Sequence, residues 1–110
     1  MIKKLFLIYF IFFLIPFNNI YASGNYEAGK SKSQTCIACH GIDGNSTNKI
    51  YPKLAGQYKD YLVNTLLGYK SGKRKNAIMN GFAANLTEQD INDLALYFSM
   101  QKGLKVLPKK

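Results

Sequence analysis

Residues 34–45 read QTCIACHGIDGN and hold both cysteines and the only histidine of a 110-residue chain. Thiols at Cys36 and Cys39 beside an imidazole at His40 can do three kinds of chemistry. A structural zinc site requires four thiolate or imidazole ligands, and this chain offers three, all in one short turn. A thioredoxin-like redox pair sits at a helix start beside a βαβ unit, and no stretch here alternates apolar and polar residues with period two. The spacing C-x-x-C-H is the attachment signature of c-type haem. The two thiols add across the porphyrin vinyl groups, whose separation the two intervening residues match. The imidazole directly after Cys39 then falls under the ring centre as an axial iron ligand. The expected cofactor is one covalent haem c per chain, on Cys36, Cys39 and His40. A haem-free thiol or interaction module is the rival that these residues alone leave open.

Iron bound by one histidine has a further axial position. A carrier fills it, and a catalyst or gas sensor leaves it open. A methionine thioether fills it and raises the potential. The methionines are Met1, Met79 and Met100. Met1 belongs to a leader described below. Met100 lies near Phe98 in the last helical pattern and is expected to be core or helix-end packing. Met79 lies in residues 73–86, read as irregular, far enough along the chain to return over the other haem face. Met79 is therefore the expected second ligand, and an open-site haem enzyme or sensor is the alternative. The chain has no second histidine and no paired-carboxylate constellation for acid–base work, so an electron carrier is expected rather than an enzyme.

The elements that must position these groups follow from pattern. Lys3 and Lys4 precede an apolar run over residues 5–17, then two asparagines and a small residue, Ala22. This is the form of a secretory signal. The run is shorter than the roughly 18 residues that a spanning helix wants. Residues 1–22 are expected to be cleaved and residues 23–110 to form one domain in the periplasm, with a retained anchor as the alternative. Loss of the leader removes two of fifteen basic residues and none of the six acidic ones, leaving a charge of +7. A domain this small buries only about two thirds of its surface and leans on a cofactor or staple. The excess charge suits acidic protein partners, and an exported domain without a recognisable binding motif is not expected to bind nucleic acid.

Residues 25–35 are helix-compatible, with Ser23 or Asn25 as cap and Glu27 in the first turn. Residues 41–52 are rich in Gly, Asn, Asp and Ser and read as loop. Residues 57–70 place Tyr58, Tyr61, Leu62, Thr65, Leu66 and Tyr69 on one helical face, with Gly72 as a stop. Thr87 with Asp90 resembles a capping box before Ile91, Leu94, Ala95 and Phe98, and Gly103 ends the run. The class is all-α, with three main helices around one haem.

CIACHGIDGNS (36–46), YPKLAGQYKDYL (51–62), GKRK through AIMNG (72–81) and LTEQDINDLALYFS (86–99) together resemble a class I cytochrome c. The resemblance spans the mature chain and is closest to single domains of the bacterial dihaem branch. It implies that Met79, shortly before the last helix, is the distal ligand. It also implies that the Pro52 carbonyl accepts the other imidazole N–H of His40, fixing its tautomer and orientation. Where relatives often carry a second methionine three positions later, this chain has Phe82. One C-x-x-C-H excludes a dihaem arrangement within the chain. Leu54, Tyr61, Leu62, Leu66, Ile78 and Leu94 are candidate haem lining or ordinary core. The first and last helices are expected to cross through Tyr97 against Gly29, a glycine that otherwise only weakens its helix by about 1 kcal/mol. The implied function is electron transfer to redox partners, with acidic docking sites on membrane oxidoreductases or terminal oxidases and peripheral association with such complexes. Lys49, Lys53, Lys73, Arg74 and Lys75 would orient the protein. A haem subunit of a larger oxidoreductase is the alternative.

Overall fold

The computed structural model describes residues 23–104. The expected leader, residues 1–22, and the last six residues of the expected domain lie outside them.

Helix α1 (Tyr26–Lys32) begins where the Asn25 side chain accepts from the Ala28 N–H at 2.8 Å. Glu27 in its first turn and Lys30 and Lys32 in its last match the helix dipole. A 3₁₀ turn (Ser33–Thr35) leads into the single turn α2 (Ile37–His40), which contains Cys39 and His40. A loop then carries the chain to α3 (Lys59–Ser71), which stops at Gly72 in the left-handed region with φ +80. Helix α4 (Ala77–Ala84) and helix α5 (Glu88–Ser99) complete the order. There is no strand among the described residues, so the all-α expectation holds.

The α5 start follows its sequence signal. Thr87 Oγ1 accepts from the Asp90 N–H at 3.1 Å, and Asp90 Oδ2 accepts from the Thr87 N–H at 2.9 Å. Helix α5 is the central element. It packs on α1 and on α3, and Leu62, Leu94, Ala95, Tyr97 and Phe98 form the buried cluster.

The α1–α5 crossing explains Gly29. A Cβ there would stand 2.1 Å from the Asp93 carbonyl oxygen and 2.8 Å from Tyr97 Cβ. Glycine is thus required for the backbones to approach, and its low helix propensity is offset by that contact. The Tyr97 ring lies tilted against Tyr26 at 5.3 Å and edge-on to Phe98 at 5.1 Å between centroids. Asp93, 1% exposed, sits in the same crossing and accepts from Asn25 N at 2.7 Å, Lys32 Nζ at 2.5 Å and Gln89 Nε2 at 2.8 Å. Burial pushes its pKa up, but the hydrogen bonds from Lys32, Gln89 and Asn25 outweigh that and hold it below the ordinary value.

Two expectations need correction. Residues 73–86, read as irregular, contain α4. Its start is made by the Asn76 side chain, which accepts from the Met79 N–H at 3.0 Å. Asn80 and Gly81 read as breakers in isolation, but Gly81 here has nothing within 4 Å of its would-be Cβ and sits in ordinary helix. Met100 closes α5 but stands 63% exposed rather than packing.

Candidate functional site

The C-x-x-C-H segment is folded by its own backbone. Cys36 N–H donates to Ser33 O at 2.8 Å, and His40 N–H donates to Cys36 O at 3.0 Å. One turn therefore sets both sulfurs and the ring on a single short element. Gly41 follows at φ +87, a conformation that suits glycine, and ends the turn directly after His40. Both thiols are free and half-buried. Burial pushes the Cys36 thiol up from its ordinary pKa, against a lowering contact with Thr35.

The loop over residues 41–58 brings Pro52 back to His40. Leu54 and Ala55 N–H groups both donate to Gly44 O, at 2.8 and 3.2 Å. Gly56 N–H donates to Phe98 O at 3.0 Å, and Leu104 N–H donates to Ala55 O at 2.8 Å. The loop is thereby tied to the end of α5. Gly44 permits it: at φ +84, a Cβ would meet Ala55 N and Phe98 Cδ1, each at 2.8 Å.

In this frame the Pro52 carbonyl lies 2.8 Å from His40 Nδ1. A carbonyl only accepts, so Nδ1 carries a proton, and in the neutral ring the lone pair falls on Nε2. The ring is 7% exposed, with Tyr51 edge-on at 6.3 Å. Nε2 makes no hydrogen bond among the described residues. Two thiols and an imidazole whose Nε2 bonds to no described residue, on one turn, are a donor set that fits covalent haem attachment and axial ligation.

Met79 is half-buried on α4. It shares no hydrogen bond with Cys36, Cys39, His40 or Pro52, which form one connected unit. Of the candidate lining residues, Leu62 and Leu94 are core, and Leu54 and Leu66 pack against that core. Tyr61 and Ile78 are 51% and 59% exposed, and Phe82 is 50% exposed. Helices α3 and α4 thus present large apolar side chains that the protein core does not cover. A shallow groove lined by Leu67, Gly68, Lys70 and Lys73 contains none of the site residues. The basic stretch after α3 is not wholly free either, since the Arg74 guanidinium lies over the Tyr69 ring at 5.2 Å. Sequence reasoning passed over Asn76, Asn80 and Lys70, whose side chains hold α4. An Asn at a helix start was the one local signal available for them.

The cytochrome c family model matches residues 26–101. Cytochrome c4 from Pseudomonas aeruginosa is 46% identical over 82 residues, covering 74% of this chain and 41% of that protein. Cytochrome c-554(548) from Halomonas halodenitrificans is 42% identical over 83 residues, covering 73% of this chain and all of that protein. The crystal structure of reduced recombinant cytochrome c4 from Pseudomonas stutzeri superposes with a TM-score of 0.70 at 44% identity, over 74% of this chain and 47% of that one. The chain therefore spans less than half the length of the cytochrome c4 proteins and the full length of the c-554(548) protein. No helix among the described residues is long and apolar enough to cross a membrane.

Proposed function

This chain belongs to the cytochrome c family, whose members carry covalently bound haem c, and from that premise we propose that it is an exported electron carrier with His40 and Met79 as the axial iron ligands. The His40–Pro52 hydrogen bond carries this reading. It orients a buried ring, directs the Nδ1 proton to the carbonyl and leaves Nε2 available to a metal.

Bound haem supplies an iron that takes up and gives back one electron. The protein's residues do the rest. Cys36 and Cys39 would hold the group as thioethers. His40 would offer Nε2 to the iron, and the Pro52 carbonyl would hold the ring in place and enrich its electron density. Met79 would offer a thioether from α4, which would favour the reduced state. The exposed apolar surfaces of Tyr61, Ile78 and Phe82 are the part of the protein suited to cover an apolar cofactor and exclude water. No substrate bond is made or broken, which suits a site without an acid–base pair.

Residues 1–22 act as the export leader and residues 23–110 as the periplasmic domain. The partners are redox proteins with acidic docking surfaces. Exposed Lys49, Lys53, Lys73 and Lys75 give an encounter rate that falls as salt rises.

The test is a visible spectrum of purified protein in both oxidation states, with haem retention checked after denaturation. The expected outcome is haem that stays with the denatured chain and a thioether-to-iron charge-transfer band in the oxidised form. That band should vanish in Met79→Ala, with rapid uptake of small ligands. Colourless protein with two reactive thiols overturns the carrier reading, and a band that survives Met79→Ala overturns the choice of ligand.

A further inference from the structure

Helix α4 has eight residues, and only Ala83 among them is buried. A helix this short is not stable alone in water, and its own apolar burial is slight. Side chains crossing between α3 and α4 hold it instead. At its start, Asn80 Nδ2 donates to the carbonyls of Tyr69 and Arg74, each at 2.8 Å. Asn80 Oδ1 accepts from the Asn76 N–H at 2.9 Å, and Asn76 in turn caps the Met79 N–H. One carboxamide thus joins the end of α3, the connecting loop and the first turn of α4. At the other end, Lys70 Nζ on α3 donates to the carbonyl oxygens of Ala84 and Leu86. Those carbonyls belong to the last turn of α4 and the residues just beyond it, which the helix cannot satisfy itself.

We propose that Asn80 is the positioning residue of the Met79 ligand, assisted by Lys70 at the far end of the same helix. The inference rests on the reading of Met79 given above and extends it to what keeps the thioether in place. Asn80 touches neither the iron nor a partner. It acts by pinning α4 to α3, so that departure of Met79 requires breaking the amide's hydrogen bonds as well as the sulfur–iron bond.

Asn80→Asp tests this most sharply. The carboxylate has the same size and still accepts from Asn76, but it has no N–H and faces two carbonyl oxygens. A packing role survives that change, and a donor role does not. In oxidised holoprotein, imidazole should bind about tenfold faster in Asn80→Asp than in the unmodified protein, the factor expected from one to two net hydrogen bonds. Asn80→Ala should behave similarly. Lys70→Met should bind imidazole about threefold faster, and Lys70→Arg, which keeps the donors, should restore the original rate. Amide exchange read on the same samples should quicken in α4 by matching factors and stay unchanged in α5. Unchanged imidazole binding in Asn80→Asp, with the charge-transfer band present, overturns the proposal. Unchanged α4 exchange overturns the clamp itself. The reading of Met79 fails differently, through a band that is absent from the unmodified protein or that persists in Met79→Ala.

Discussion

The α1–α5 crossing and the α3–α4 pair are built on opposite economies. The first is closed by protein alone. Gly29 lets backbones touch, Tyr97 and Phe98 fill the space, and a buried carboxylate, Asp93, satisfies an amide, an ammonium and a carboxamide together. The second leaves Tyr61, Ile78 and Phe82 half exposed or more and keeps α4 in place with long polar side chains. A small domain cannot bury enough surface to close both sides by itself. On the reading proposed above, the first side would supply stability and the second would hold the Met79 face of the cofactor, and the division can be tested from either side.

Gly29→Ala should give the largest effect. A methyl group placed 2.1 Å from a backbone oxygen cannot be relieved by a rotamer change, so the helices must separate. A loss of about 3 kcal/mol is expected in denaturant unfolding. The charge-transfer band of whatever protein folds should keep its position, because the strain lies away from Met79. Near-wild-type stability would show that the crossing yields more easily than its geometry implies.

Asp93→Asn sharpens the same side through pH. Its pKa is lowered in the folded protein, so its contribution is present above the ordinary carboxylate value, about 3.9, and is lost as pH falls through the lower folded value. Asp90, lowered chiefly by Lys32, adds to the same acid limb. Lys32 is raised, chiefly by Asp90 and then Asp93, so its share persists to high pH and disappears only as pH climbs through that raised value. Asp93→Asn should cost about 2 kcal/mol at neutral pH, the worth of hydrogen bonds to a charged group. It should also flatten the stability loss on acidification. An acid limb of unchanged slope would remove Asp93 from this role.

What was legible in the sequence divides along the same line. Cys36, Cys39 and His40 announce themselves by spacing, and the Thr87–Asp90 capping box and the Gly72 stop are local signals that the fold obeys. The Gly29–Tyr97 approach came through family resemblance, since a glycine in a helix says nothing of its neighbour. The Asp93 cluster was not visible, because Asn25 and Lys32 lie 68 and 61 residues away in the chain. Helix α4 was hidden for a related reason. Asn80 and Gly81 weigh against a helix when scanned alone, and the groups that tie it down, on Tyr69, Lys70 and Arg74, belong to α3 and the loop after it.

The smallest effect bears on that hidden helix. Gly81 sits inside α4 without a left-handed φ and with open space where a Cβ would stand. Two residues at about 100° each place it roughly 200° around the axis from Met79, on the far face of the helix. Gly81→Ala therefore adds helix propensity and removes unfolded-state freedom without touching the Met79 side chain, for a gain of about 0.5–1 kcal/mol. In the α3–α4 pair a gain of that kind should appear as slower α4 amide exchange and slower imidazole binding, with the charge-transfer band unmoved. Slower exchange without slower ligand entry would separate helix stability from Met79 retention. In that case the side-chain clamps, and not the helix they hold, would set how long the thioether stays.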